Sequence, residues 1–522
     1  MDTRADVVVA GGGPAGSTAA TLLARAGFEV VLFERERFPR AHVGESLLPA
    51  TLAILDDIGV LPAIAAEGFV RKAGATMSWG RDAQPWSWYF AETNRRFPHS
   101  YQVWRPRFDQ ILLEHSARCG VRVRQGEAIR SVNENGVELA NGARVEASMV
   151  VDATGQSALL ACTHGLQEWD PFFRNLAVYA YFDGGRHLDP PDDGNIFIEA
   201  YEHGWLWKIP LAGGVSSVGA VVDRDFGAAG IRKRGRKRFF REQVAAAARS
   251  NAMLEGAELR EGPFAVRDWS WCASAMTGPG FVLVGDAACF IDPLFSTGVH
   301  LAVSGAHLAA AYVTTALRTP SFGSAAAESY ERLYRTQYRH FHELATLFYA
   351  SNRARDSYFW EARRLTGATH RDPRTAFVRA VSGQAAAGYE RSVLGHGVLP
   401  DDFATALQAE LASRESRRMR PDGATRVRTA PGLEVRGAAV LGDGCFEPGY
   451  VIAGPGRDDL PVSTLVASLA HHARDDTLDA IAARIAQAND ADAEQVREAT
   501  VAAAELLIAD GVLEVPGQVA SG

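Results

Sequence analysis

A glycine-rich stretch near the start of the chain constrains the fold more than any other feature. A short apolar run, residues 7–10, leads into Gly11, Gly13 and Gly16, which follow a G-x-G-x-x-G pattern. An Ala- and Leu-rich helical pattern then runs to about Ala26. A strand, a glycine turn and a helix in this order predict a β-turn-α unit that binds the pyrophosphate of a dinucleotide.

Each glycine has its own predicted role in this unit. Gly11 permits the tight turn, Gly13 lets the backbone approach the phosphates without a Cβ, and Gly16 lets the helix pack closely on the strand. The first helical turn then directs its backbone N–H groups at the anion. The residues predicted to contact the cofactor here are Gly11, Gly13, Pro14, Ala15, Gly16 and Ser17.

A carboxylate at the end of the next predicted strand supports the same site. The strand covers residues 29–33 and is followed by Glu34. An acid roughly 20 residues beyond the glycines can accept hydrogen bonds from the ribose hydroxyls of adenosine. The glycines alone also fit a turn in a purely structural βαβ unit, so the strand, helix and acid together carry the prediction.

Composition indicates a globular protein large enough for two or three domains. The chain has 522 residues, of which 47% are hydrophobic, and its net charge of −8 argues against nucleic acid as the main partner. Five cysteines without a C-x-x-C pair predict neither a disulfide framework nor a zinc site, and favour a reducing cytoplasm. We expect no signal peptide, because the first residues lack a basic segment followed by an apolar one, and no membrane span, because no apolar run approaches about 18 residues.

Three later segments are predicted to lie along the same cofactor. Glu45 and Ser46 belong to a polar loop after the second strand, although a cap for the following helix explains Ser46 equally well. Arg105 stands where a strand passes into an amphipathic helix. Asp286 ends a fully apolar strand and is placed to bind a sugar or ribityl hydroxyl.

The loop after Asp286 leads into a long Ala-rich helix that is predicted to end near Leu317. The backbone N–H groups of Thr297 and Gly298, at the start of that helix, form a positive concavity suited to an anion. In a flavoprotein the same helix end would stabilise negative charge on the reduced ring.

Two further features permit more than one interpretation. A single lysine is most often a solvated surface charge, so position alone gives Lys72 no catalytic role, although residues 72–79 alternate as a strand does. Trp205 and Trp207 lie two residues apart in a region that predicts an antiparallel sheet, and would therefore share one face. They form either an apolar wall beside a ligand or part of an ordinary sheet core.

Taken together, these motifs resemble those of the flavin-dependent halogenases, a branch of the FAD-dependent monooxygenase superfamily. The resemblance covers roughly residues 5–370 and rests on the glycine pattern, Lys72, residues 205–210, Gly285-Asp286 and residues 293–298. It implies that FADH2 from a separate flavin reductase reacts with O2 to give a flavin hydroperoxide. Chloride or bromide attacks that peroxide, and the resulting hypohalous acid passes through a tunnel to a small aromatic substrate.

The resemblance also implies roles for individual residues. Lys72 aligns with the family's essential lysine, which holds or carries positive halogen by hydrogen bonding or as a chloramine. Thr297 and Gly298 would bind the halide, with Gly298 also at the cofactor. Trp205 and Trp207 would separate the flavin from the substrate, and no metal ion is implied.

One departure from the family pattern narrows the substrate class. Tryptophan halogenases carry a glutamate just before the Ser-Thr-Gly of the halide loop, which corresponds to residues 293–298 here, and this chain has Phe295 at that position. The aromatic stretch 341–360 resembles the corresponding stretch in the branch that halogenates phenols and pyrroles. Several members of that branch act on substrates tethered to carrier proteins. A basic run, residues 232–238, is either a solvated helix face or a docking patch for an acidic acyl or peptidyl carrier protein.

We therefore predict an α/β protein with a Rossmann-like FAD-binding domain, an inserted antiparallel β-sheet substrate domain and a mostly helical C-terminal domain. The halogenase-like core is expected at 1–380 and a helical, winged-helix-like region at 381–522. Within the core, FAD-binding segments are predicted at about 1–70, 101–170 and 271–330, and the sheet region at about 71–100 and 171–270.

The predicted function is FADH2-dependent halogenation of an electron-rich, phenolic precursor of a natural product such as an antibiotic. The alternatives are an aromatic hydroxylase or prenyl-lipid reductase on the same fold, and a silent FAD protein that only binds a partner. A hydroxylase usually carries a second fingerprint ending in arginine, which the corresponding segment 152–160 lacks. The presence of Lys72 and the halide loop argues against a catalytically inactive protein.

Overall fold

The computed structural model describes residues 4–79, 84–92, 94–133, 135–267, 270–351, 419–455 and 459–516. The chain divides into two compact units. The first comprises Met1–Leu317 and Tyr330–Pro400, and the second comprises Arg318–Ser329 and Asp401–Gly522. The predicted boundary at residue 380 and the aromatic residues after 351 lie outside the described residues.

The elements up to residue 351 are numbered in chain order. The strands are β1 (Arg4–Ala10), β2 (Val30–Glu34), β3 (Val70–Lys72), β4 (Gly74–Ser78), β5 (Pro85–Tyr89), β6 (Ser100–Gln102), β7 (Arg122–Gln125), β8 (Ile129–Asn133), β9 (Gly136–Leu139), β10 (Arg144–Asp152), β11 (Gln167–Trp169), β12 (Asn175–Asp183), β13 (Ile196–Tyr201), β14 (Gly204–Leu211), β15 (Val215–Asp223), β16 (Glu258–Arg267), β17 (Trp271–Ala273), β18 (Thr277–Gly278), β19 (Phe281–Leu283) and β20 (Cys289–Phe290). The helices are α1 (Pro14–Arg25), α2 (Pro49–Asp57), α3 (Leu61–Ala66), α4 (Arg105–Arg118), α5 (Leu159–Thr163), α6 (Arg224–Arg234), α7 (Arg236–Ala246), α8 (Ala248–Met253), α9 (Gly298–Arg318) and α10 (Gly323–Ser351).

A largely parallel sheet carries the glycine turn. Its strands lie in the order β18-β19-β10-β1-β2-β7, with the β8–β9 hairpin paired to β10. The three valines at 7–9 in β1 are fully buried, as β-branched residues in the centre of a covered sheet should be. The sequence-predicted order of strand, turn, helix α1 and second strand is therefore present, and β2 ends on Glu34.

A second sheet, in the order β16-β12-β15-β14-β13-β4-β5, forms the inserted region. All of its pairs are antiparallel except β13 with β4. One face packs against α7, where Leu206 and Val218 join Phe239 and Phe240 in a hydrophobic core. Trp205 and Trp207 alternate with Leu206 and lie on the other face.

The strand predicted over 72–79 is divided in two at Ala73. β3 pairs with β6, whereas β4 pairs with β5 and β13. β4 begins at Gly74, where a Cβ would lie 1.8 Å from the Trp88 carbonyl oxygen, so the close approach of β5 requires glycine. The division puts Lys72 on a separate two-stranded sheet, away from the sheet that carries the tryptophans.

The second unit combines strands and helices in its described part. Its elements are β21 (Arg426–Thr429), β22 (Glu434–Leu441), β23 (Phe446–Ala453), β24 (Leu460–Val462), α11 (Thr464–His472), β25 (Arg474–Thr477), α12 (Leu478–Asn489), α13 (Ala493–Ala509) and β26 (Leu513–Glu514). The strands form two three-stranded sheets, β25-β21-β26 and β22-β23-β24. Strands account for much of the segment 426–462 and helices for most of 464–509. The winged-helix-like character of this region stays a prediction. Among the helices of the described residues, none combines the length and apolarity of a membrane span.

Candidate active site

A cavity of about 630 Å³ opens at the carboxyl ends of β1, β2 and β10. Open α/β sheets bind their ligands at this end. The cavity is lined by most of the predicted site residues, namely Gly11, Gly13, Pro14, Ala15, Glu34, Ser46, Arg105, Trp205, Trp207, Asp286 and Gly298. Gly16, Ser17, Lys72 and Thr297 lie outside its lining.

The three glycines differ in what a side chain would meet. Gly11 has a φ of +106°, and a Cβ on it would lie 2.3 Å from the Ala153 carbonyl oxygen. A Cβ on Gly16 would lie 1.9 Å from the Gly11 carbonyl oxygen, so the close helix–strand packing requires glycine. At Gly13 the nearest atom is Nη2 of Arg40 at 3.2 Å, and the space beyond belongs to the cavity.

Glu34 and Ser17 hold the glycine turn in place. The Gly12 N–H donates to Oε2 of Glu34 at 2.7 Å, and the Glu36 N–H donates to Oε1 at 2.9 Å. The Ser17 hydroxyl donates to the Gly12 carbonyl at 3.0 Å. Each carboxylate oxygen of Glu34 retains a second lone pair, so the predicted contact with ribose remains available.

Arg105 is fixed by a carboxylate that sequence reasoning missed. Its Nε and Nη2 donate to Asp109 at 2.8 and 3.0 Å, and its Nη1 donates to the Val43 carbonyl at 2.6 Å. Burial would raise the pKa of Asp109, but the charge and hydrogen bonds of Arg105 hold that pKa below its ordinary value. Arg105 therefore anchors the loop before Glu45, and the i, i+4 spacing on α4 was the available signal.

Two further carboxyl groups face the cavity. The Tyr181 hydroxyl donates to Oε1 of Glu45 at 2.8 Å, and burial raises the pKa of Glu45. Burial also raises the pKa of Asp286 to about 6, against the opposing effect of the Arg105 charge. Both groups are therefore able to exchange protons closer to neutral pH than ordinary carboxyl groups.

The predicted halide-binding loop, residues 293–298, begins with a capped turn. Asp292 Oδ1 accepts from the Leu294 N–H at 2.9 Å and caps the short turn Pro293–Phe295. Ser296 then takes a left-handed conformation with a φ of +57°, and α9 starts at Gly298. The first N–H groups of a helix have no partner within the helix, so this end is positive.

The two tryptophans form a wall along one side of the cavity. Their ring centroids are 6.0 Å apart, and Trp207 lies flat over Gly219, where a Cβ would come within 2.2 Å of the ring. The Trp205 Nε1–H donates to the Tyr349 hydroxyl, which donates to Oδ2 of Asp292 at 2.9 Å. Asp292 thus connects the wall with the halide loop.

Lys72 is fully enclosed beyond this cavity. The residue is 1% exposed, and its Nζ donates to the Leu47 carbonyl at 3.1 Å. The Phe90 ring centroid lies 5.3 Å from Nζ. Burial lowers the pKa of Lys72 to about 7. A substantial fraction of this amine is therefore neutral, and nucleophilic, near neutral pH.

Comparison with known proteins decides the family. The model of the tryptophan halogenase family matches residues 6–98 and 91–394 of this chain. The chain belongs to the flavin-dependent halogenase family. A tryptophan 2-halogenase of Chondromyces crocatus is 33% identical over 402 residues, which cover 73% of this chain and 76% of that protein.

Two other proteins extend the comparison. The 1H-pyrrole-2-carbonyl-(peptidyl-carrier protein) chlorinase of Pseudomonas fluorescens is 33% identical over 380 residues, 66% of this halogenase and 84% of that protein. The crystal structure of the flavin-dependent halogenase CmlS has a TM-score of 0.77 at 29% identity, over 98% of this chain and 96% of that one. The predicted family and α/β fold are therefore confirmed. This halogenase is an FAD-dependent oxidoreductase, and members of its family need a flavin reductase.

The residues around the cavity of the halogenase fit FAD. Gly13 leaves the backbone open for a pyrophosphate, and Glu34 stands where an adenosine ribose would lie. The buried Ser46 hydroxyl has no hydrogen-bond partner among the described residues, although it lines the cavity. Asp286 presents a carboxyl group for a ribityl hydroxyl. The individual contacts of these residues with FAD stay predictions.

Alanine substitutions at Gly13 and Gly16 are expected to separate FAD binding from folding. Gly13→Ala should weaken FAD binding about tenfold or more, because its methyl group occupies phosphate space, with no change in the unfolding temperature of FAD-free protein. Gly16→Ala should also destabilise the FAD-free protein by about 1–3 kcal/mol, because its methyl group meets the Gly11 carbonyl. Thermal unfolding and titration with FAD test both. Equal stability of the two FAD-free variants would contradict this account.

Proposed function

We propose that this halogenase chlorinates or brominates an electron-rich aromatic substrate of the phenol or pyrrole type, with Lys72 delivering the halogen. The observation that carries the proposal is the enclosed amine of Lys72. Among the described residues no carboxylate is recorded in contact with its Nζ, and its pKa of about 7 keeps both the neutral and the charged form available at working pH. Burying an amine without a counter-charge costs stability, and groups with pKa values shifted by burial cluster at functional sites.

In this proposal the halide is oxidised in the FAD cavity, and the halogen is transferred to the substrate at Lys72. Reduced FAD with O2 supplies the oxidising equivalents that convert halide to hypohalous acid. The N–H groups of Thr297 and Gly298 hold the halide at the start of α9. Trp205 and Trp207 keep the aromatic substrate away from the flavin, which prevents direct hydroxylation.

Lys72 takes up the halogen in one of two forms. The neutral amine forms an N–X bond while the O–X bond of hypohalous acid breaks, and hydroxide leaves as water with a proton from the amine. The substrate ring then forms a C–X bond as the N–X bond breaks, and the nitrogen recovers its electron pair and a proton. In the charged form, the ammonium instead donates a hydrogen bond that polarises hypohalous acid toward the ring.

Phe295 supports an electron-rich substrate. It is 3% exposed and packs edge-to-face on Phe348, with ring centroids 4.8 Å apart. At this position the chain offers an apolar side chain rather than a carboxylate to receive the ring proton. Phenols and pyrroles lose that proton readily after attack, so they need less help than an unactivated ring.

The decisive experiment supplies the full-length protein with FAD, a flavin reductase, NADH, O2 and chloride, and offers it phenols and pyrroles, free and attached to a carrier protein. We expect product that gains one chlorine and requires chloride, FAD and reductase. A hydroxylated product formed without halide would instead support the alternative, a flavin-dependent aromatic hydroxylase. A reduced prenyl-lipid product would support the reductase alternative.

We also infer a carrier-tethered substrate, docked through the basic run 232–238. Arg234 and Arg238 pair with Glu242 at 2.8 and 3.1 Å, so these two charges are partly compensated. Arg232 and Lys237 are exposed and make no ion pair within the described residues. Such charges suit the acidic surface of a carrier protein.

We also propose that the enzyme acts in a reducing cytoplasm. All five cysteines are free thiols, which is consistent with that compartment.

Charge reversal tests this docking surface. Arg232→Glu with Lys237→Glu should raise KM for a carrier-tethered substrate about tenfold and leave kcat and a free substrate unchanged, because steering acts on encounter. Arg95→Glu with Arg118→Glu, at two exposed arginines outside the basic run, changes the net charge equally and serves as the control. Equal effects on free and tethered substrates would argue against docking at this run.

A further inference from the structure

Three buried polar atoms near Lys72 have no hydrogen-bond partner in the part of the chain that the structure describes. They are the hydroxyls of Ser46 and Ser100 and the amide oxygen Oε1 of Gln102. Ser100 and Gln102 are fully buried, and Ser46 is 5% exposed. A buried polar atom without a hydrogen-bond partner costs stability, so three neighbouring ones point to a polar ligand.

These side chains lie in one row with Lys72. Ser46 and Gln102 are direct antiparallel partners, and so are Ser100 and Lys72. Ser100 and Gln102 are two residues apart on β6, and therefore point to the same face. Direct partners have Cβ atoms about 5 Å apart, and residues two apart on a strand are about 7 Å apart. In the order Ser46, Gln102, Ser100, Lys72, each side chain is therefore close enough to the next for one small molecule to contact both.

The row spans the gap between the cavity and the lysine. Ser46 lines the cavity, whereas Gln102, Ser100 and Lys72 lie beyond it. The Gln102 Nε2 group donates to the Gly194 carbonyl at 3.1 Å, which fixes the amide and leaves Oε1 for another donor. Lys72 reaches across β6 to the Leu47 carbonyl, so its chain passes over the Ser100 position.

We propose that Ser46, Gln102 and Ser100 form a buried hydrogen-bonding row along which hypohalous acid moves from the cavity to Lys72. This inference rests on the proposed role of Lys72. Hypohalous acid carries one O–H donor, which Oε1 of Gln102 accepts, and an oxygen that accepts from the serine hydroxyls. No bond forms or breaks along the row, because the oxidant keeps its O–X bond until it meets the amine.

A substitution at Ser100 distinguishes a hydrogen-bonding role of its hydroxyl from a purely steric one. A serine beneath the Lys72 chain could be present only because it is small, and in that case alanine would serve equally well. If the hydroxyl guides the oxidant, Ser100→Ala removes one hydrogen-bonding group from the row while leaving the lysine in place. The loss would then appear as escape of oxidant rather than as loss of its formation.

The test measures how the oxidant divides between substrate and solution. With full-length protein, FAD, reductase and chloride, a soluble 1,3-diketone traps hypohalous acid that escapes. We expect Ser100→Ala to lower halogenated product per O2 consumed about tenfold, to raise halogenated diketone correspondingly, and to leave KM for chloride unchanged. Gln102→Met, which keeps the size but removes the amide, should shift the division in the same direction.

Ser216→Ala is the matched control. Ser216 is also a fully buried strand serine whose hydroxyl has no hydrogen-bond partner among the described residues. It pairs with Phe182 and Pro210 on the face of the second sheet opposite the tryptophans. We expect this variant to divide the oxidant as the wild type does. If Ser100→Ala and Gln102→Met gave the same ratio of halogenated substrate to halogenated diketone as the wild type, the proposal would be overturned.

A second readout does not depend on activity. A high-resolution crystal structure of the FAD-free protein should show ordered water hydrogen-bonded to Ser46, Gln102 and Ser100, with the last water missing in Ser100→Ala. A dry row would overturn the proposal. Failure of the proposed function would look different, because the wild type itself would halogenate neither substrate nor diketone, and the crystal structure would still decide the row.

Discussion

Lys72→Met is expected to lower substrate halogenation by about 10³-fold or more while FAD binding stays within about twofold of wild type. The loss is expected because methionine fills the space of the side chain but supplies neither a nucleophilic nitrogen nor a hydrogen-bond donor. FAD binding should persist because Lys72 lies outside the cavity lining. Halogenated product per enzyme and FAD titration measure the two effects.

The same substitution should make the protein more stable, by an amount that depends on pH. Burial lowers the pKa of Lys72 from 10.5 to about 7 in the folded protein. Between these two values the unfolded chain binds a proton that the folded chain does not, so wild-type stability falls as pH falls through this window. The advantage of Lys72→Met should therefore grow from pH 10.5 down to pH 7, to a few kcal/mol, and then level off. Urea unfolding at several pH values measures it.

Lys208→Met provides a closely matched control for both effects. Lys208 is 2% exposed, and burial lowers its pKa to about 8. It lies on β14 opposite Val218, on the face away from Trp207. We expect a similar gain in stability but unchanged halogenation. If Lys208→Met lost as much halogenation as Lys72→Met, the assignment of chemistry to Lys72 would be wrong.

Asp109→Ala is expected to destabilise the protein by about 3–5 kcal/mol and to abolish measurable FAD binding. The substitution leaves the Arg105 guanidinium buried without its carboxylate, in a position 4% exposed. Arg105 would also lose the geometry with which it holds the Val43 carbonyl beside the cavity. Denaturant unfolding of the FAD-free protein and titration with FAD measure the two losses.

The double variant Arg105→Met with Asp109→Leu distinguishes the two causes. It removes both charges, so most of the stability should return, whereas FAD binding should not, because the loop anchor is gone. Arg107→Ala on the same helix breaks a more exposed pair with Glu67 and should cost less than about 1 kcal/mol. A similar cost for Arg107→Ala and Asp109→Ala would contradict the role assigned to burial.

Local patterns explain which parts of the site could be predicted. The glycine turn, Glu34 at the end of β2 and the shared face of Trp205 and Trp207 depend on backbone conformation and strand alternation. These act over a few residues, and the structure shows each of them. The break at Ala73 was missed, because it depends on β3 and β4 choosing different partner strands rather than on the alternating pattern of 72–79.

The amino-acid sequence by itself determined the dinucleotide turn, the α/β class and, through its motifs, the halogenase family. Tertiary structure alone decided the surroundings of Lys72, because burial and the lowered pKa arise from segments far apart in the chain. The carbonyl of Leu47 and the ring of Phe90 reach the amine, and Ser100 lies opposite Lys72, only when distant segments of the chain come together. Strand pairing over long sequence separations leaves no local signature, and for that reason the row from Ser46 to Lys72 appears only in the folded chain.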